Sequence, residues 1–263
     1  MSLDGTVVKN LVYEINNRIN GGRIDKIYQN DNDDLLINIR ANGKRERIFI
    51  SISGSPRMYF SEEIFDSPQN PPAFCMLLRK HLENNQILAV NQYKMDRIVE
   101  IHVKSRDELG MYSEKSLIIE LMGKHSNVIL IDNESKKIID SLKRVNFNLS
   151  SVREVLPGLI YNEEDISRGL NPCETNSIID LIKFSQENLN LKSFFLKNFT
   201  GISPQMCSEL EYRSDIDFKR NISSLSEEEI ENLNESFINI FKDINENKFA
   251  PIKIIKNGIF KDF

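Results

Sequence analysis

The side chains in this sequence that are able to do chemistry are few and scattered. Three cysteines, Cys75, Cys173 and Cys207, are odd in number for a disulfide framework and too widely spaced for a zinc site. They read as small buried hydrophobes. The histidines, His81, His102 and His125, are equally dispersed, and no H-E-x-x-H, G-x-S-x-G, Walker or G-x-G-x-x-G pattern occurs. No metal and no cofactor are expected, and a Cys–His nucleophile pair has no positive support. What is left is charge placed for recognition. Arg79-Lys80-His81 reads either as a solvated helix face or as a strip that contacts phosphates. In Met122-Gly123-Lys124-His125-Ser126-Asn127, Gly123 permits a tight backbone, so Lys124, His125 and Asn127 can face a ligand; a plain turn is the alternative. Asp96-Arg97 is, on bare sequence, a charged pair at a strand start, and most such pairs are solvated.

The elements that must position these groups are readable from periodicity. Asp4 caps a helix whose apolar stripe is Val7, Val8, Leu11, Val12, Ile15 and Ile19, and Gly21-Gly22 ends it. Strands are expected at Arg23 to Gln29, Leu35 to Arg40 and Arg47 to Ile52, with Asn42-Gly43 as the hairpin turn of the last two. Pro56 and Ser67 to Pro72 read as loop. Pro71-Pro72 opens a helix over Ala73 to Glu83. A second strand block covers Ile87 to Gln92, Ile98 to Val103, Leu117 to Leu121, Val128 to Ile131 and Lys137 to Leu142, with turns at Asp107 to Gly110 and Asp132 to Glu134. Short links between these strands indicate an antiparallel α+β sandwich with flanking helices. From about Asn176 the chain turns helical, with Ile178, Ile179, Leu181, Ile182 and Phe184 as one apolar face. A Ser226–Glu229 capping box precedes Ile230, Leu233, Phe237, Ile240 and Phe241. A last hairpin is expected around Asn257-Gly258.

The 263 residues are 40% hydrophobic and 28% charged, an ordinary globular balance. No run of about 18 apolar residues occurs, so no membrane span is expected. Met1 to Gly5 lacks a basic region followed by an apolar one, which points to a cytoplasmic protein. The net charge of −5 argues against a nucleic-acid partner only as an average. Residues 1–150 carry +1 and residues 151–263 carry −6, and the first part holds local basic clusters at Lys44 to Arg47, Arg79 to His81 and Lys143-Arg144. A nucleic-acid contact is therefore expected to be local rather than a broad basic field.

Several ordered segments resemble the N-terminal region of the NFACT family, the RqcH/NEMF proteins that also carry the name fibronectin-binding protein. They are Gly21 to Gln29, Pro71 to Leu82, Asp96-Arg97-Ile98 and Leu121 to Asn127, supported by Leu156-Pro157-Gly158 with Tyr161 and by Gly201-Ile202-Ser203-Pro204. The resemblance implies a β-sandwich domain over 1–170, similar to the N-terminal domain of formamidopyrimidine-DNA glycosylases. A helical module with a helix–hairpin–helix would follow over 171–248, then a terminal hairpin over 249–263 at a truncation point. In the hairpin, Ser203 and Cys207 replace the second Gly and the Ala of G-h-G-x-x-x-A. That substitution, with Glu209 and Glu211 nearby, favours a packing or protein-contact role over phosphate binding there.

The resemblance also implies function. Such proteins act in ribosome quality control. They bind stalled large ribosomal subunits carrying peptidyl-tRNA and recruit tRNA, with alanyl-tRNA as the expected species, for C-terminal tailing of nascent chains. They have no active site of their own, so the chain is not expected to be an enzyme. The matching Asp-Arg pair serves tRNA recruitment. A guanidinium grips a phosphate bidentately, and its neighbouring carboxylate orients it or accepts from a ribose hydroxyl. The tRNA-contacting set implied is Asp96, Arg97, Asp4, Glu120, Lys124, His125, Asn127, Arg79 and Lys80. Asp4 has two readings that can coexist, a helix cap and a role in the tRNA-dependent reaction. A fibronectin- or fibrinogen-binding adhesin is the alternative, disfavoured by the missing signal peptide. A DNA-lesion binder is a third. Met1-Ser2-Leu3 stands where related glycosylases begin Pro-Glu, so their Schiff-base chemistry is not expected.

Overall fold

The computed structural model describes residues 3–30, 34–62, 69–106, 110–149, 153–167, 169–185, 188–251 and 254–262. The expected turn at 107–109 and part of the loop at 67–68 lie outside the described residues, as do parts of the two chain ends.

Helix α1 (Gly5–Ile19) starts where the Asp4 carboxylate accepts the Val7 N–H at 2.9 Å. Its period-matched Val8, Val12, Ile15 and Ile19 are buried. The strands β1 (Arg23–Gln29), β2 (Leu35–Ala41) and β3 (Lys44–Ser51) follow. Asn42 and Gly43 have φ of 52° and 73°, the conformation a two-residue hairpin needs. That turn pairs Ala41 with Lys44, so β3 begins three residues before the expected Arg47. Strand β4 (Arg57–Phe60), which directly follows the loop expected at Pro56, was not expected; it is only four residues long. Helix α2 (Ala73–Leu82) starts after Pro71-Pro72 as expected. Then come β5 (Gln86–Gln92), β6 (Ile98–Arg106), β7 (Tyr112–Glu120), β8 (Asn127–Asp132) and β9 (Ile138–Ser141). β7 starts five residues earlier than expected, because Tyr112 to Ser116 are mostly polar yet pair fully with β6.

These nine strands form one antiparallel sheet in the order β4-β3-β2-β1-β5-β6-β7-β8-β9. Its two halves meet between β1 and β5 in register at a single pair, Arg23 with Gln86. They nevertheless share one core. Ile37 and Ile48 from the first half, Val99, Leu117 and Leu130 from the second, and the buried faces of α1 and α2 belong to the same cluster. The architecture is thus α+β, with a large antiparallel sheet and flanking helices, and the strands expected as a sandwich belong to one hydrogen-bonded sheet. The outer face of β6 to β9 is also covered: Ile98, Ile118 and Ile129 pack with Val155 and Tyr161 of the following loop. This two-sided burial explains the near-continuous apolar runs of β7 and β8.

Helices α3 (Ile179–Lys183), α4 (Leu191–Asn198), α5 (Pro204–Ser214) and α6 (Glu227–Asn245) build a second core around stacked Phe195, Phe199, Phe218 and Phe237. α3 is shorter than its apolar run. Ile178 and Ile182 are buried, whereas Phe184 is 78% exposed beyond the helix end. The capping box forms as expected, with both Ser226–Glu229 bonds present. The last hairpin pairs β10 (Ile254–Lys256) with β11 (Ile259–Asp262).

Glu229 also pairs with Arg220. Arg220, then the Ser226 backbone, hold its carboxyl down from 4.5 to about 2. A carboxylate depressed by folding stabilises above its unfolded value and loses that contribution as pH falls through the folded one. Glu229→Gln is therefore expected to lower the urea midpoint at neutral pH. Its difference from the parent chain should shrink below pH 4.5 and be gone near 2. An equal difference at every pH rules the ion pair out as the cause.

Candidate nucleic-acid interface

Asp96 and Arg97 sit at the end of the turn that joins β5 to β6. The turn is closed by Tyr93 N–H to the Ile98 carbonyl at 3.0 Å and Asp96 N–H to the Tyr93 carbonyl at 2.9 Å. Its centre, Met95, is 1% exposed and inserts into the helical core rather than the sheet's own. Two glycines make room for this. Gly5 donates its N–H to the Gly201 carbonyl at 3.0 Å, and the Met95 carbonyl lies so close that neither residue has space for a Cβ. Gln92 ties the turn to α1, donating from Nε2 to the carbonyls of Gly5 and Asp96, both at 2.8 Å.

Within this clamp Asp96 is buried, and its Oδ1 accepts the Arg97 N–H at 2.7 Å. The Arg97 carbonyl accepts the Leu121 N–H at 2.8 Å, which fixes the backbone to the end of β7. The Arg97 side chain is half-buried and has no ion pair or hydrogen bond among the described residues. A guanidinium held on a rigid backbone without a carboxylate partner is free to take an anion from outside.

Asp4 is part of the same junction. Oδ1 caps α1, and Oδ2 accepts the Ser203 hydroxyl at 2.7 Å. Ser203 in turn caps α5, accepting the Met206 N–H at 3.1 Å. Both carboxylate oxygens are thus occupied within the protein. The start of α5 already faces the Ser203–Asp4 pair, so no vacant phosphate cradle is present there. Asp4 is a positioning residue in this geometry, and the packing role expected for the Gly201 turn fits it.

Glu120, at the end of β7, is fully buried. Tyr161 donates to its Oε1 at 2.9 Å, and Arg153 Nη2 donates to Oε2 in a short contact. Burial pushes the Glu120 carboxyl above its ordinary range against the pull of Arg153 and Tyr161, and the charge of Asp96 pushes the same way. Burial, then Glu120, push the Tyr161 phenol well above its usual value. Glu120 therefore does not face solvent; in the ladder it pairs with Ile98, the residue after the Asp96–Arg97 pair. Arg153 was not singled out in the sequence. It lies among loop residues just before Leu156-Pro157-Gly158, where no period marks a buried charge.

The Lys124 loop is a short 3₁₀ turn, Gly123–His125, with Lys124 and His125 exposed. Asn127 points inward instead. Its Oδ1 accepts from Val128 and Lys143 backbone N–H groups, and its Nδ2 donates to the Lys143 carbonyl at 2.8 Å. In register, Ile98 pairs with Glu120 and Glu120 with Asn127. Two strand spacings put this loop about 10 Å from the start of β6.

Arg79 and Lys80 belong elsewhere. Arg79 Nε donates to the Ile27 carbonyl at 2.8 Å, tying α2 to β1, and Lys80 is exposed. The adjoining His81 carbonyl accepts from Ser105, seven residues along β6 from Ile98, or about 23 Å away. Lys44 and Arg45 are likewise distant. Asn42 beside them bonds to the Arg18 carbonyl at the far end of α1, about 20 Å from Asp4. The structure brings together Asp4, Asp96, Arg97 and, behind them, Glu120 and the Lys124 loop; it leaves Arg79 and Lys80 apart.

Among the described residues no group of three His, Cys, Asp or Glu side chains is placed to hold a metal, and no helix is long and apolar enough to cross a membrane. Cys75 and Cys207 are buried and Cys173 half-buried. Burial raises all three thiols, Cys207 to about 11.

Residues 4–263 match the family described as NFACT N-terminal and middle domains. The chain belongs to the NFACT family. The Rqc2 homolog RqcH of Bacillus subtilis is 34% identical over 259 residues, which are 98% of this chain and 44% of that protein. The archaeal homolog aRqcH of Methanocaldococcus jannaschii is 32% identical, covering 95% of this chain and 36% of its own length. This NFACT chain thus spans less than half the length of those relatives. Solved structures are also similar. The N-terminal domain of fibronectin-binding protein PavA from Streptococcus pneumoniae is 34% identical, with a TM-score of 0.70 and coverage of 80% of this chain and 83% of that one. The fibrinogen-binding protein from Staphylococcus aureus is 28% identical, with a TM-score of 0.77 and coverage of 100% and 90%.

Proposed function

We propose that this NFACT chain is the tRNA-recruiting front part of a ribosome quality-control factor that acts on stalled large subunits and supports C-terminal tailing of nascent chains. The observation that carries the reading is the Arg97 guanidinium. It has no partner among the described residues and stands on a turn braced by Asp96, Gln92 and two glycines. Such a group binds an RNA phosphate in a fixed direction, and a directed single contact is what placing a tRNA requires. The protein would position tRNA while the ribosome supplies peptidyl transfer, and alanyl-tRNA is the species we expect. Asp96 orients the Arg97 backbone. Asp4 joins the starts of α1 and α5 beside the turn, and Glu120 pairs with Ile98 in the neighbouring strand.

Arg97→Ala is expected to reduce tRNA recovered with the full-length protein from cell extract by about tenfold, the worth of one charge-assisted contact. Asp96→Asn should reduce it less, since an amide oxygen still accepts the Arg97 N–H. Unchanged tRNA recovery with Arg97→Ala sinks the assignment. The names of the similar solved structures favour a second reading, binding of fibronectin or fibrinogen. Immobilised fibronectin and tRNA, offered to the same protein, separate the two. Arg97→Ala should affect only tRNA retention.

A further inference from the structure

A cavity of about 380 Å³ opens where the two halves of the sheet meet, lined by Arg23, Asn84, Asn85, Gln86, Lys104 and Tyr112. A hollow of that size suits a small ligand. It lies on a polar row that crosses the sheet. Arg45, Arg40, Arg23, Gln86, Lys104 and Glu114 stand opposite one another in successive strands, and all are exposed. Arginines side by side in a ladder repel one another. Asp25 offsets only Arg40, at 3.4 Å, and Arg23 has no side-chain partner among the described residues. Lys104 makes no ion pair with Glu114, its ladder neighbour. Its ammonium lies 4.3 Å from the centre of the Tyr112 ring, which holds the charge in place without cancelling it.

The backbone under the cavity is fixed. Gly21 N–H donates to the Ile87 carbonyl at 3.0 Å, Ile87 N–H to the Gly22 carbonyl at 2.8 Å, and Ile24 N–H to the Asn85 carbonyl at 3.0 Å. The side-chain amides are committed at one end. Gln86 donates from Nε2 to the Gly21 carbonyl at 3.3 Å, and Asn85 from Nδ2 to the His81 carbonyl at 2.9 Å. What each still offers is its carbonyl oxygen, an acceptor for a hydroxyl group. Arg23 and Lys104 flank Gln86 with their backbones about 10 Å apart, so both long side chains can reach one anion above it. Two cations with amide acceptors beside them match a phosphate carried on a hydroxyl-bearing body. Beyond Lys104 and Tyr112, Glu114 and Glu134 line an adjoining hollow. A chain of phosphates running past Lys104 would meet those carboxylates, which favours a short ligand over a polyanion.

We propose that this cavity binds a small phosphorylated sugar. Arg23 and Lys104 hold the phosphate, and Asn85 and Gln86 accept from the hydroxyl groups. Tyr112 is a positioning residue for Lys104. The site stands apart from the RNA reading of Arg97: Lys104 is six residues along β6 from Ile98, about 20 Å away.

The test is isothermal titration of the chain at low salt with ribose 5-phosphate and glucose 6-phosphate, and with inorganic phosphate and free ribose as their parts. At least one sugar phosphate should bind about tenfold more tightly than inorganic phosphate, and ribose alone should give no signal. Arg23→Ala and Lys104→Ala should each weaken the sugar phosphate about tenfold, the worth of one charge-assisted contact. Gln86→Ala should weaken it about threefold and leave inorganic phosphate unchanged. Tyr112→Ala should weaken sugar phosphate and inorganic phosphate alike, about threefold, and Tyr112→Phe should restore both, since the ring alone holds Lys104. Lys219→Ala removes the same charge from the helical part and should change affinity less than about twofold.

The exposure of Arg23, Gln86 and Lys104 makes misfolding of these variants a poor explanation for any loss. Parent-like affinity in Arg23→Ala and Lys104→Ala overturns the site. So does the absence of binding of either sugar phosphate by the parent chain. Inorganic phosphate binding as tightly as the sugar phosphates means an unspecific anion contact only, and overturns it. Tighter binding of a short oligouridylate or of a hexaglutamate peptide, lost in the same variants, identifies a surface for a nucleic acid or a protein and overturns it too.

Discussion

Gly201→Ala is expected to destabilise the chain by about 2–5 kcal/mol and to part the helical core from the Asp96 turn. Gly201 has φ of +76°, a conformation that strains any L side chain. Its added Cβ would also lie 1.7 Å from the Met95 carbonyl oxygen and 3.1 Å from Gly5 Cα. These are backbone atoms, fixed by the Gly5–Gly201 hydrogen bond and by burial of Met95, so they cannot swing aside. Gly43→Ala is the matched control. Its φ is +73° with nothing within 4 Å of the added methyl, so it should cost about 1 kcal/mol, the conformational part alone. Urea unfolding followed by circular dichroism compares the two. Equal midpoints would mean that the junction gives way without cost and that the two cores are not locked together there.

The second large effect is expected at Arg153. Arg153→Ala leaves the Glu120 carboxylate fully buried with only Tyr161 as partner. Removing one member of a buried ion pair costs about 3–5 kcal/mol, because the other charge stays desolvated. Replacing both members by apolar residues of similar size and removing the hydroxyl that this would orphan, Glu120→Leu with Arg153→Met and Tyr161→Phe, should recover most of that loss. The triple variant then separates stability from function. It should fold near parent stability, yet bind tRNA more weakly if the Glu120–Arg153 pair sets the position of the Asp96 turn. A triple variant as unstable as Arg153→Ala alone would show that the cost lies in packing rather than in the orphaned charge.

Legibility in the sequence follows locality. The Asp4 cap, the Asn42-Gly43 turn, the Pro71-Pro72 helix start and the Ser226–Glu229 box all form as their residue types dictate, since each depends on neighbours within a few positions. β4 was not legible, because a four-residue strand after a proline has no room to show alternation. The start of β7 was hidden by Ser113, Glu114 and Lys115, polar residues that pair with Ser105, Lys104 and Val103 of β6 without any apolar alternation of their own. In the candidate site, Asp96 and Arg97 were found as a motif, but not what braces them. Met95 is a single apolar residue in a charged turn, and its burial in a core more than eighty residues downstream leaves no periodic trace. Asn127 was read as able to face a ligand because Gly123 permits a tight backbone, with a plain turn as the alternative; the structure uses it to pin Lys143.

The junction at Met95 joins chain segments that the ribosome would deliver at very different times. The sheet closes through neighbouring strands, and its pairs become available in order as the chain emerges. Met95, by contrast, finds its core only after Leu191, Phe194 and α5 have been made. Until then the Asp96–Arg97 turn lacks the Gly201 side of its clamp. The arginine is thus set in its final geometry late in synthesis, after the sheet that carries it has had the chance to fold.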